Sequence, residues 1–426
     1  MNKFTLASLA LLAATSAQAS GIEQVIVRQQ WPWSTDVKVE YKLSGVDAQH
    51  PVNLGVRAFN GDVELDASRL EESITGDRYG LCESGVGQFI IDPVKAFGTE
   101  KVALANFKVK LALSESDSNA SEVIYKIFDL DPENLNPNGT FKCTDVTRAD
   151  IKNKHYGDFV TDYNQIFAGA NSTVANQLIW TGVTNDVVYK TTKLVMRKIP
   201  KGTFQMGSKS GENAYAFNNA KLIHQVELSK DYYIGIYPLT QQQYKLLSRN
   251  QSWTPPDPTK PIGSPWTYNA YQTVVTNAIA ANLAVPVNFP TEAQWEYACR
   301  AGTTSELYTG QALSSANLNP IAWHSGNSDS NTHEVGLKLP NAFGLYDMIG
   351  NSYEACRDKF SASAIGYVDG SSVVDPEEPG PQSGENYVIR GGAYTTSNFY
   401  STSPGRNASS GNDKSFSFRL AFTVGE

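Results

Sequence analysis

The sequence is poor in the residues that most often carry chemistry. Among 426 residues there are four cysteines, four methionines and five histidines, and the histidines (His50, His155, His224, His324 and His333) are scattered. It contains no P-loop, no G-x-S-x-G, no H-E-x-x-H and no ordered Ser–His–Asp set, so those nucleotide-binding and hydrolytic signatures are excluded. Only His324 and His333 lie near each other, and a two-histidine iron site would need a carboxylate such as Asp329 to join them. Exposed loop histidines are the simpler reading. Acids outnumber bases, 43 to 35, for a net charge of −8, and no basic cluster occurs. That argues against a nucleic-acid partner, because phosphate binding needs concentrated positive surface. Nowhere does an apolar run reach the ~20 residues that cross a bilayer, so no integral membrane segment is expected.

The N-terminus carries the first positive signal. "MNKFTLASLALLAATSAQAS" has a basic start at Lys3, an apolar run from Phe4 to Ala14 and the small-residue pattern Ala17-Gln18-Ala19. That is a secretory signal, with residues 1–19 removed and the mature protein exported to the periplasm, the cell surface or the medium. No cysteine for lipid attachment sits at the cleavage point. An even number of cysteines in an oxidising compartment suggests disulfides among Cys82, Cys143, Cys299 and Cys356. Cys82–Cys143 with Cys299–Cys356 is the obvious split, although four cysteines allow three pairings and buried free thiols remain open for the second pair. Their spacing is not that of a structural zinc site.

From Ile22 to about Leu113 short alternating stretches such as "VKVEYKLSG" and "VNLGVRAF" are separated by Gly, Asp, Asn and Pro. The pattern predicts a small antiparallel β-sandwich over 20–120, read as a scaffold or adhesive module. In "QQWPW", Trp31 and Trp33 are expected to pack in a core or between domains, with a ligand platform as the alternative. Residues 121–187 read as an irregular connecting segment, and a second domain is expected over 188–426. There Thr240 and Thr291 are predicted helix N-caps, with Trp295, Ala298 and Cys299 on one helical face. Glu296 on that helix is a candidate general base, or more simply a surface ion pair.

Four ordered blocks carry a resemblance. "IPKGTFQMGS" with "YYIGIYPLTQQQY", then "FPTEAQWEYACRAGT" (289–303), "PNAFGLYDMIGNSYEACRD" (340–358) and "VIRGGAYTTSN…FSFRLAF" (388–422) resemble the signature blocks of formylglycine-generating enzymes, also called sulfatase-modifying factors. The resemblance implies an irregular α+β fold similar to C-type lectins, with long loops. It also implies two cysteines after the Gly-Gly turn that bind Cu(I), activate O₂ and oxidise a substrate cysteine. In this sequence those positions are Thr396 and Ser401, so no catalytic residue is carried over and copper is not expected. A hydroxyl is a hard, barely acidic donor, whereas Cu(I) selects thiolate.

The family's calcium loop implies a side-chain ligand at Asp347, carbonyls at Gly350 and Ser352, and a carboxylate at Glu354. Oxygen ligands with two acids in a glycine-bent loop suit a hard cation, so a structural Ca²⁺ is expected. The alternative is that Asp347 caps backbone amides while Glu354 pairs with Arg357. The family's Trp-Glu-Trp is Tyr353-Glu354-Ala355 here.

Three functions follow. The first is a ligand-binding module presenting Tyr394, Thr395, Thr396, Asn398, Tyr400 and Arg406 to a protein or glycan, as the family fold does when it displays variable residues. The second is an oxidoreductase of the family working without the cysteine pair, and the third a structural envelope protein.

Overall fold

The computed structural model describes residues 20–425 apart from 30–32, 104, 117–118, 161–162, 168–177, 210–211, 213–222, 264–265, 361–371, 378–385, 398–399 and 411–415. The proposed signal peptide, Trp31 and Asn398 lie outside the described residues. The chain divides into two compact units, Met1–Glu122 with Arg148–His155, and Val123–Thr147 with Tyr156–Glu426.

The first unit is the expected antiparallel sandwich. One sheet orders its strands Gly21–Gln29, Val37–Ser44, Gly85–Ile91, Ile74–Gly76; the other orders Val63–Glu64, Val52–Asn60, Phe107–Glu115. Strand Val37–Ser44 shows why. Val37, Val39, Tyr41 and Leu43 are buried, while the residues between them are not. With Leu54, Ala58, Phe89 and Ile91 they form one apolar core, which is what a period of two requires of a half-buried sheet.

In the second unit the expected α+β architecture is present, with the longest sheet holding five strands. Its order is Ala421–Thr423, Tyr232–Gly235, Lys193–Ile199, Val123–Asp129, Lys142–Thr147. Residues 123–147, read from sequence as part of a connecting segment, therefore supply two strands of this unit, and Arg148–Lys152 forms a helix of the first. Strand Val123–Asp129 hides its type because Ile124, Tyr125, Ile127 and Phe128 are all buried, which erases the alternation that marks a half-exposed strand.

A four-stranded sheet ordered Arg406–Ser409, Tyr387–Arg390, Tyr353–Lys359, Phe416–Ser417 carries the region of interest. Helices Gln241–Ser248 and Glu292–Arg300 both begin with a reciprocal capping box, Thr240 with Gln243 and Thr291 with Gln294. The second helix lays Trp295, Ala298 and Cys299 into the interior, as its apolar spacing demands.

Candidate functional site

Strand Tyr387–Arg390 runs into Gly391 and Gly392, both with positive φ (87° and 75°). A Cβ on Gly391 would lie 2.8 Å from the Met348 carbonyl, and one on Gly392 would lie 2.7 Å from Ser401 Oγ. Handedness and space both require glycine at this turn.

Buried charge holds the turn. Arg390, fully buried, donates from Nη1 to the carbonyls of Pro404 and Gly405 (2.8 Å each) and from Nη2 to Glu296 Oε2. Glu296 also accepts from Arg300 Nε (2.8 Å) and from the Gly207 amide (2.9 Å). Burial alone would push the Glu296 carboxyl up, but Arg300 and Arg390 reverse this and hold it below the ordinary range. Glu296 is therefore an interior ion-pair anchor and not a surface pair. One turn earlier, Glu292 takes Arg406 in a two-pronged pair at 2.8 and 2.9 Å. Arg406, expected in the ligand groove, is thereby a brace, with its guanidinium 4.8 Å over the Phe360 ring.

The polar run after the turn divides into an outer and an inner part. Tyr394 is half-buried against the core, Thr395 is exposed and Tyr400 is half-buried. Thr396 Oγ1 accepts from the Ala393 amide and donates to the Ala393 carbonyl, both at 2.8 Å, so this hydroxyl closes its own turn and is not displayed. Ser401, Thr402 and Ser403 are fully buried, and the Ser401 and Thr402 hydroxyls have no partner among the described residues. Two further bonds fix the outer part from beneath. Ser328 Oγ donates to the Tyr394 carbonyl (2.8 Å), and the Ser325 amide donates to the Thr396 carbonyl (3.0 Å).

The adjoining loop Asp347–Glu354 only partly fits the calcium set. Asp347 is buried with φ 55°; Oδ2 accepts from the Gly336 amide at 2.6 Å and Oδ1 has no partner among the described residues. Burial pushes its carboxyl up to about 6. An orphaned buried acceptor suits a cation. Glu354 does not. Arg419 Nε and Nη2 donate to its two oxygens at 2.7 Å each, and Trp295 Nε1 adds a third bond at 2.8 Å. The Gly350 carbonyl already accepts from the Ser352 amide (2.8 Å). Nor does Glu354 pair with Arg357, which binds Glu377 at 2.8 Å. Among the described residues no three His, Cys, Asp or Glu side chains are grouped to hold a metal.

The histidine pair also resolves. His324 is engaged at both ring nitrogens, by Asn319 Oδ1 (2.9 Å) and the Gly326 amide (3.1 Å), which leaves no lone pair for iron. His333 stacks on Trp323 at 3.8 Å. None of the four cysteines forms a disulfide. Cys299 and Cys356 are buried thiols; Cys299 lies 3.5 Å from Ser403 Oγ and burial pushes it up to about 12. Cys82 and Cys143 are exposed and belong to different units.

Two organising residues escaped the sequence reading. Arg419 is the lone charge in "FSFRLAF", where Ser417 is the one other polar residue, and that isolation was its signal. Asn351 ties three loops together: its amide donates to the Trp323 carbonyl (2.8 Å), its carbonyl accepts from Tyr394 (3.0 Å) and its side chain exchanges bonds with His333.

This glycine turn, braced by paired charges and surrounded by long loops, defines a class. The family model of the sulfatase-modifying factor enzyme 1-like domain matches residues 185–424, and the chain belongs to that family. Among curated proteins it is similar to the formylglycine-generating enzyme of Bos taurus, 32% identical over 119 residues that make up 25% of this chain and 29% of the relative. The formylglycine-generating enzyme of Streptomyces coelicolor is 36% identical over 121 residues, 26% of this chain and 37% of the relative. The chain thus matches 29% to 37% of these relatives' length. Among solved structures, Treponema denticola variable protein 1 shares 26% identity and a TM-score of 0.44 over 54% of this chain and 95% of its own. PvdO from Pseudomonas aeruginosa shares 23% identity and a TM-score of 0.47 over 54% of this chain and 94% of its own.

Proposed function

We propose that the chain is an exported binding protein that uses the family's loop framework without generating formylglycine. One observation carries the reading: the hydroxyls of Thr396 and Ser401 stand where the resemblance would place thiols, the first tied on both sides to Ala393 and the second fully buried. Neither oxygen supplies the soft thiolate that Cu(I) selects, nor a group that ionises at neutral pH. What the loop offers outward is Thr395, flanked by the half-exposed Tyr394 and Tyr400, with Asn398 between them in sequence. Tyrosines with small hydroxyls and amides make adaptable contacts at low entropic cost, which suits a protein or glycan ligand. Thr396 and Arg406 leave the ligand set because their polar atoms are already engaged. In this reading a structural Ca²⁺ takes Asp347 and backbone carbonyls of the Gly350–Ser352 turn, without Glu354. Export rests on the leader-like N-terminus alone, and the sandwich is read as a separate, adhesive module.

The test pairs two measurements on mature protein. A Cys-x-Pro-x-Arg peptide supplied with copper and oxygen should show no thiol oxidation. A screen of glycans and peptides should give hits that Tyr394→Ala with Thr395→Ala abolishes. Turnover of the peptide, or hits untouched by the double variant, would refute the reading.

A further inference from the structure

The outward segment 394–396 is gripped at its backbone. The Tyr394 amide donates to the Asn351 carbonyl (3.0 Å), and the Tyr394 carbonyl accepts from Ser328 Oγ (2.8 Å). Asn351 and Ser328 are fully buried, and both lead to His333. Asn351 Oδ1 accepts from the His333 amide (2.9 Å), Asn351 Nδ2 donates to the His333 carbonyl (3.1 Å), and His333 Nε2 lies 2.9 Å from the Ser328 carbonyl. A carbonyl only accepts, so Nε2 carries the proton of that last bond. The ring plane is fixed as well. It stacks on Trp323 with 3.8 Å between centroids and 15° between planes, and Lys338 Nζ lies 3.7 Å from the same indole centroid. Both distances are van der Waals contact, so imidazole and ammonium take opposite faces of the indole.

The main-chain bonds from His333 to Asn351 are open to any residue at that position. The side chain adds one polar contact, to the Ser328 carbonyl, and its location matters. The same carbonyl closes a turn through Asp329 and Ser330 by accepting from the Asn331 amide at 3.1 Å. Both turn residues have left-handed φ, 51° and 56°, which residues other than glycine keep only where their surroundings hold them. We propose that His333 is a positioning residue for the contact surface. Its Nε2–H locks the strained turn, aims the Ser328 hydroxyl at the Tyr394 carbonyl and so holds Tyr394 and Thr395 in one presented conformation, ready-made for binding. This inference rests on the reading of Tyr394 and Thr395 as the ligand contact, but the order of the segment can be measured without a ligand.

Amide hydrogen exchange on mature protein makes that measurement. The Tyr394 amide and the Thr396 amide, which donates to the Ala393 carbonyl at 2.9 Å, report the segment; helix Glu292–Arg300 reports the core. His333→Phe keeps a flat ring for Trp323 and removes the donor, whereas His333→Gln gives up the stack and keeps an N–H. Loss of one hydrogen bond should speed exchange at Tyr394 and Thr396 about tenfold in His333→Phe and in Ser328→Ala, with the helix unchanged. His333→Gln should stay within about twofold of wild type. Glycan or peptide hits of the wild type should follow the same order, about tenfold weaker for His333→Phe and near wild type for His333→Gln. Equal exchange in the Phe and Gln variants, acceleration in the helix as large as in the segment, or hits that ignore His333→Phe would each overturn the proposal. The expected exchange pattern in a protein that gives no hits would uphold the ordering role of His333 and refute the binding reading instead.

Discussion

Replacing Glu354 by Gln separates the two roles that its loop could give it. In the structure Glu354 is 1% exposed and Arg419 0% exposed, joined by two parallel bonds of 2.7 Å. Arg419 continues to the carbonyls of Gly235 (2.9 Å) and Tyr346 (2.7 Å), so it links the site to the five-stranded sheet. Glu354→Gln leaves that guanidinium buried without its counter-charge, a loss of about 3–5 kcal/mol. For a unit of this size each kcal/mol lowers the midpoint by about 2–4 °C, so melting should fall by about 6–20 °C. Calorimetry in EDTA and again in excess calcium distinguishes the causes. An ion-pair role makes the loss equal in both buffers, and adding Arg419→Met should restore much of it, because a buried pair exchanged for apolar groups is often neutral. If Glu354→Gln melts like wild type in EDTA and falls behind only in calcium, Glu354 is a metal ligand and the ion-pair argument fails.

Two further predictions concern pH and the metal. The Asp347 carboxyl is raised from 3.8 to about 6, so ionising it destabilises the fold: the penalty is absent below pH 3.8, grows as pH rises and is complete above about 6. A shift of about two units is worth about 3 kcal/mol, so in EDTA at pH 7 Asp347→Asn should unfold at higher urea than wild type, with no difference at pH 3.5. Calcium should close the gap by stabilising wild type; if the variant is the less stable protein in EDTA at pH 7, the orphaned-oxygen argument is wrong. Glu296 has the opposite sign. Its carboxyl is depressed below 4.5, so its contribution is present above that value and lost as pH falls through the lower, folded value. Wild type should therefore show an acid limb in its melting curve that Glu296→Gln flattens while melting lower at pH 7; equal acid limbs would count against the Arg300–Glu296–Arg390 network.

The sequence was legible wherever a local signal sufficed. Thr240 and Thr291 declare helix starts because capping is decided within four residues, and the alternation in "VKVEYKLS" declares a strand because one of its faces is buried. The signal failed where tertiary burial decides. Strand Val123–Asp129 is covered on both faces and reads as no pattern at all. Arg406 and Glu354 each look available in the sequence, yet their partners Glu292 and Arg419 are known only from the fold; Glu292 is 114 residues from Arg406, and Arg419 is 65 from Glu354. Trp33 erred in the other direction. Nothing in "QQWPW" reveals that Gln29 anchors the loop and leaves the indole outside.

On the proposed reading, the charge network is what holds the framework with hydroxyls at Thr396 and Ser401. Arg390 and Glu296 fix the glycine turn from the helix side, while Arg419 and Glu354 fix the neighbouring loop from the sheet side. The Gly350 amide joins the two by donating to the Gly391 carbonyl at 2.7 Å. No bond in this brace involves the side chain of Thr396 or Ser401, so the charged anchors of the turn do not depend on those two hydroxyls. Thr396 then gains a purely local role: its hydroxyl closes the turn with Ala393, as a threonine does readily. Fold and chemistry are separable here because different residues secure them, and a loop held rigid by buried ion pairs can carry a contact surface as easily as a redox centre.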